Sequence, residues 1–109
     1  MQAISRDSFE LEVVVASRDL PVLVDFWGPR CGPCMKMMPW VESLAQQHTD
    51  RLKVVKLNSD ENRRLCFDLR IMGLPTFVLY RDGVEVQRLS GNDCTPSGIS
   101  QLARTALNG

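Results

Sequence analysis

Apolar and polar positions alternate along this chain in blocks whose periods change from segment to segment. Val22-Leu23-Val24-Asp25-Phe26-Trp27 is almost continuously apolar, as a strand covered on both faces requires. Leu52 to Leu57 repeats the pattern and predicts a second buried strand. Between them, Met37, Val41, Leu44 and Ala45 recur at helical spacing, which predicts a helix from about Cys31 to His48. Pro39 lies inside that helix, where its missing N–H leaves the Met35 carbonyl without a donor and predicts a kink.

Weaker signals fill in the rest. Ala3-Ile4 is expected as a short first strand. A helix capped by Asp7 or Ser8 then runs to about Ser17, with Phe9, Val13 and Ala16 inward. A short helix starting near Asp60 lies within Asn58 to Leu69. Thr76 to Tyr80 and Val84 to Leu89 flank Asp82-Gly83, a dipeptide suited to a tight hairpin. Thr95 as cap and Pro96 at the first helical position open the last helix, with Cys94 and Ile99 placed to form a hydrophobic staple. Parallel βαβ pairing followed by a hairpin predicts an α/β fold of order βαβαββα, a central mixed sheet with helices on both faces.

Length then bounds the domain count. At 109 residues, without repeats, low-complexity tracts or linkers, residues 1–109 are expected to form a single domain. Zero formal net charge gives no reason to expect nucleic acid or an anionic membrane as partner. Met1 to Asp7 lacks the pattern of a secretory leader, and no apolar run approaches bilayer length, so a cytoplasmic protein is expected.

The cysteines carry the chemistry. Of the four, at 31, 34, 66 and 94, only the first two are close in sequence. A second Cys-x-x-Cys or a His pair, as a zinc site would want, is lacking, so redox chemistry is favoured and no cofactor or metal is called for. Cys31-Gly32-Pro33-Cys34 falls where a buried strand ends and a helix begins. With Cys31 at the N-cap, the Cys34 N–H can reach the Cys31 sulfur, and the helix N-terminus favours a thiolate. Pro33 stiffens the first turn at no cost in intrahelical bonds. Cys31 is then the exposed nucleophile and Cys34 the buried resolving thiol; an idle structural disulfide or half a metal site is the alternative.

The chain resembles the thioredoxin family over nearly its whole length. The resemblance is carried by Val22 to Trp27, Cys31-Gly32-Pro33-Cys34, Pro39, Val55-Lys56-Leu57-Asn58, Leu74-Pro75-Thr76 and Gly91, in the family's order and spacing. It implies the thioredoxin fold, disulfide-containing protein substrates and a thioredoxin reductase as electron donor; a monomer is expected, though nothing in the sequence indicates or excludes an oligomer. It also implies a cis Leu74–Pro75 bond against the redox pair, with Trp27, Gly32, Pro33, Leu74 and Gly91 bordering a substrate groove. The family usually has tryptophan before the first cysteine, where this chain has Arg30. An added cation there is expected to lower the Cys31 pKa and favour acidic partners, or to point into solvent with little effect.

Asp25 interrupts an apolar strand. Buried there, its carboxyl gains a raised pKa and can exchange a proton with Cys34, while Lys56 on the neighbouring strand is expected to pair with it. The alternative is an aspartate at the strand's solvated end with a surface lysine. Cys66 reads as a small apolar core residue and Cys94 as partly exposed; a disulfide between them stays open at this point. Met37 reads as core, while Met35 and Met38 can enlarge an apolar docking face. His48 ends the second helix, far from Cys31.

Overall fold

The computed structural model describes residues 1–108. Five strands form one mixed sheet: β1 (Gln2–Ile4), β2 (Val22–Trp27), β3 (Lys53–Asn58), β4 (Thr76–Arg81) and β5 (Val84–Ser90). Their spatial order is β1-β3-β2-β4-β5, with β1, β3 and β2 parallel and β4 and β5 antiparallel. The helices are α1 (an α-helical turn at Arg6–Phe9 that runs on through Glu10–Val15 and Ala16–Arg18), α2 (Gly32–Gln47), α3 (Arg63–Asp68) and α4 (Pro96–Asn108). The full order is βαβαβαββα, one βα unit longer than the expected βαβαββα, although each of its elements, the first strand and helix included, is expected singly.

Alternation along the central strand builds the two layers. Val22, Val24 and Phe26 of β2 face α1 and α3, packing with Phe9, Val13 and Cys66. Leu23 faces the other way, onto Val41 and Leu44 of α2 and Ile99 and Leu102 of α4. Asp25 shares Leu23's face, so its burial follows from the strand's period and not from its polarity. Both faces of β2 being covered explains why its sequence is so uniformly apolar.

Several local details differ from expectation for identifiable reasons. α1 is capped by Ser5, earlier than the expected Asp7 or Ser8, because Ser8 Oγ accepts the Ser5 N–H at 3.1 Å and Asn62 Oδ1 accepts that of Arg6 at 2.8 Å. These bonds satisfy the orphan donors of the first turn two residues sooner. α2 continues through Pro39, with Val41, Leu44 and Ala45 buried beyond it. The hairpin turns on Asp82 and Gly83, both at positive φ, as a type I′ turn requires. Thr95 Oγ1 accepts the Gly98 N–H at 3.0 Å, and Cys94 and Ile99 join the same core, so the α4 cap and staple both form.

One further contact sets the approach to the site. Arg70, just after α3, holds φ at 59°, and Arg88 of β5 donates to the Leu69 and Arg70 carbonyls at 3.0 and 2.9 Å. Those bonds satisfy carbonyls left open at the end of α3. They fix the direction in which the chain leaves for Leu74 and Pro75.

Candidate active site

The site gathers at the carboxyl ends of β2 and β3 and the N-terminus of α2. β2 ends at Trp27, Gly28-Pro29 breaks it, and Cys31 caps α2 in an extended conformation, φ −90° and ψ 103°. Cys34 donates its N–H to Cys31 Sγ at 3.2 Å. The two sulfurs are joined in a disulfide whose Cα atoms lie 5.3 Å apart, so this is the oxidised form. Cys31 is partly exposed and Cys34 buried, which separates an attacking sulfur from a protected one. Gly32 and Pro33 are exposed between them.

The Leu74–Pro75 peptide is cis. Pro75 is buried, Leu74 half-buried, and the Pro75 carbonyl accepts the Gly91 N–H at 2.9 Å. Gly91 takes φ 59°, a left-handed conformation that glycine adopts without strain. Gly28 has a different reason to be glycine: a Cβ there would stand 3.0 Å from Leu74 Cδ1. The loop before Cys31 and the loop before Pro75 therefore pack against one another at a point where an added Cβ would make the Leu74 side chain shift. Met35 is exposed in the first turn of α2, and Met37 packs against the core.

A family model described as Thioredoxin matches residues 1–104. The chain belongs to the thioredoxin family. It is 43% identical over 89 residues to thioredoxin 1 of Synechococcus elongatus, covering 82% of this chain and 81% of that one. It is 47% identical over 85 residues to the thioredoxin of Alicyclobacillus acidocaldarius, covering 78% and 81%. Among solved structures, Fasciola hepatica thioredoxin superposes with a TM-score of 0.87 at 25% identity, covering 97% of this chain and 99% of that one. Malassezia sympodialis thioredoxin gives 0.85 at 28% identity, covering 97% and 90%. Thioredoxin membership makes the chain a thiol–disulfide oxidoreductase with protein disulfide reductase activity and a Cys-x-x-Cys redox pair. It also implies protein substrates and reduction by a thioredoxin reductase. Among the described residues no helix is long and apolar enough to cross a membrane.

The electrostatics of this thioredoxin site depart from expectation in two places. Asp25 is 2% exposed, and burial pushes its carboxyl up to about 7, with the Lys56 charge pulling the other way. The solvated alternative is thereby set aside. Lys56, however, does not pair with Asp25: its ammonium lies 3.9 Å from Glu42 Oε2 on α2, and Asp25 Oδ1 has no hydrogen-bond partner. Glu42 carries no motif, and finding it needs the packing of α2 over β3. Arg30 is exposed, and its Nη2 lies 3.4 Å from Asp60 Oδ2 in the turn after β3. Its charge is thus answered by a carboxylate 30 residues away, a partner that local sequence does not reveal.

The remaining cysteines are both buried and unpaired. Cys66 packs on the α1/α3 side of the sheet and Cys94 on the α2/α4 side, so the sheet separates them and no disulfide can join them. Cys94 is more buried than expected because the staple with Ile99 draws it inward; its Sγ lies 3.4 Å from the Pro75 carbonyl, to which the S–H can donate. Burial pushes its thiol up to about 11 and raises that of Cys66 as well. Neither is a competent nucleophile near neutral pH. His48 lies at the far end of α2, away from the redox pair.

Proposed function

We propose that this chain acts as a single thioredoxin domain, a monomer of reducing compartments such as the cytoplasm, in which Cys31 attacks and Cys34 resolves. In the reduced form the Cys31 thiolate attacks one sulfur of a substrate disulfide. A Cys31–substrate disulfide forms and the substrate's other sulfur leaves as a thiolate. Cys34 then loses its proton and attacks Cys31 Sγ. The second substrate sulfur departs, and the Cys31–Cys34 disulfide remains for a reductase to reduce with two electrons.

Asp25 is the proton carrier for Cys34. A carboxyl poised near pH 7 is about equally able to accept and donate a proton at working pH, which suits a group that must do both in successive half-reactions. Lys56 tunes that carboxyl through space. Trp27, Gly32, Pro33, Leu74, Pro75 and Gly91 form the surface on which an extended substrate segment lies. Arg30 acts on partner choice more than on the thiolate, because an exposed cation with a carboxylate partner is heavily screened.

The observation that carries the reading is the split exposure of the joined cysteines, one partly open and one buried, at the start of α2. Reduced Cys34→Ser, offered a disulfide-containing protein, is expected to accumulate a covalent complex that dithiothreitol dissolves. The complex forming with Cys31→Ser in place of Cys34→Ser would reverse the assigned roles.

A further inference from the structure

The parallel register of β2 and β3 sets Asp25 level with Lys56, so their side chains leave the sheet on the same face, the one α2 covers. A lysine in that position is a ready counterion for a buried carboxylate. The contact is not made. The Lys56 ammonium is directed to Glu42 of α2, at 3.9 Å from Oε2, while the other Glu42 oxygen lies 3.1 Å from the Met1 ammonium. Asp25 Oδ1 stays buried without a partner.

The groups around Asp25 come from each element packed on that face. β3 brings Lys56 and the segment before α4 brings the Cys94 thiol close enough to feel the Asp25 charge, while α2, which covers this face, carries Cys34 at its start and Glu42 beside Lys56. β4 sets Phe77 opposite Asp25 and contributes no charge there. Among the described residues Lys56 is therefore the one cation acting on Asp25, and its position decides whether Asp25 behaves as a fixed anion or as an exchangeable acid. An opposite charge within about 4–6 Å lowers a carboxyl by about 1–3 units. Direct pairing would leave a carboxylate too weakly basic to take a proton from a thiol near neutrality.

We propose that Glu42 is a positioning residue for proton transfer at Asp25: it holds the Lys56 ammonium away from the buried carboxyl, so that Asp25 keeps a proton to exchange with Cys34. This rests on reading Asp25 as the proton carrier. Glu42 touches neither substrate nor the reacting sulfurs; it acts through Lys56. Its partial exposure lets it be altered without opening a cavity in the core.

The experiment follows the Asp25 carboxyl carbon by NMR titration in the oxidised full chain, for wild type, Glu42→Gln, Lys56→Met and the double variant. Glu42→Gln is expected to move the Asp25 midpoint down by about one pH unit. The acid limb of the pH profile for protein disulfide reduction should move with it. In the Lys56→Met background the same substitution should have little effect, because the cation it releases is gone. No shift in Glu42→Gln would overturn the proposal. An equal shift with and without Lys56 would also overturn it, making Glu42 a simple repelling neighbour. An unchanged pH profile in Asp25→Asn would instead sink the carrier role, and the carboxyl titration still decides what Glu42 does.

Discussion

Asp25→Asn should stabilise the oxidised protein at alkaline pH, and the gain should disappear in mild acid. The Asp25 carboxyl rises from 3.8 to about 7 on folding, chiefly by burial. At about 1.4 kcal/mol per unit, ionising it inside the folded protein costs about 4 kcal/mol of stability. The sign follows from which state binds the proton. Below pH 4 both folded and unfolded chains hold it and nothing is lost. Between pH 4 and 7 the unfolded chain releases it first, so stability falls as pH rises; above 7 the full cost is present. Asparagine does not titrate, but its amide is buried where Asp25 Oδ1 already lacks a partner, at about 1–2 kcal/mol. The net gain at pH 8.5 is then about 2–3 kcal/mol. At pH 5 less than half the ionisation cost has accrued and the two proteins should be nearly equal. Guanidinium denaturation of both oxidised proteins at the two pH values measures this. A stability difference that does not change with pH would refute the argument, since a buried titrating carboxyl could not be its source.

Other outcomes follow from the same geometry. Iodoacetamide applied to the reduced native protein near pH 7.5 should label Cys31 first and leave Cys66 and Cys94 unmodified until denaturant is added; mass mapping of the peptides checks it. Arg30→Trp should move the pH midpoint of Cys31 alkylation by no more than about half a unit, as expected for an exposed, paired charge. A larger acid shift in wild type would restore Arg30 as a thiolate-stabilising group. Gly28→Ala forces Leu74 aside and should cost about 1 kcal/mol in thermal or denaturant unfolding. It should also slow reduction of protein disulfides more than that of a small disulfide, because only the former needs the Leu74 surface.

What the sequence made legible was what local chemistry specifies. The period of β2, the Thr95-Pro96 opening of α4, the Asp82-Gly83 turn and the strand–CGPC–helix junction each follow from neighbouring residues, and each stands as expected. The Asp25 burial was readable for the same reason: one polar residue in a strand apolar on both faces has nowhere else to go. What was not legible depends on register between distant segments. Lys56 lies beside Asp25 in the sheet, yet its ammonium is claimed by a helix that crosses above, and only the height of α2 over β3 decides between the two carboxylates. Arg30 meets Asp60 because the turn after β3 returns to the loop after β2. The separation of Cys66 from Cys94 is likewise a matter of which face each helix covers. Paired charges at a surface leave no periodic trace, so their partners emerge only once the layers are stacked.

Cys31 and Cys34 should exchange two electrons reversibly, and a redox titration of the pair is the sharpest check. Trp27, half-buried at the end of the strand that leads to Cys31, serves as the reporter in buffers of defined thiol–disulfide ratio. A single reversible two-electron transition is expected at about −270 mV, the poise typical of thioredoxin, and it should vanish in Cys31→Ser. A pair that stays oxidised, or stays reduced, across the accessible range of buffers would contradict it and leave the disulfide a structural staple.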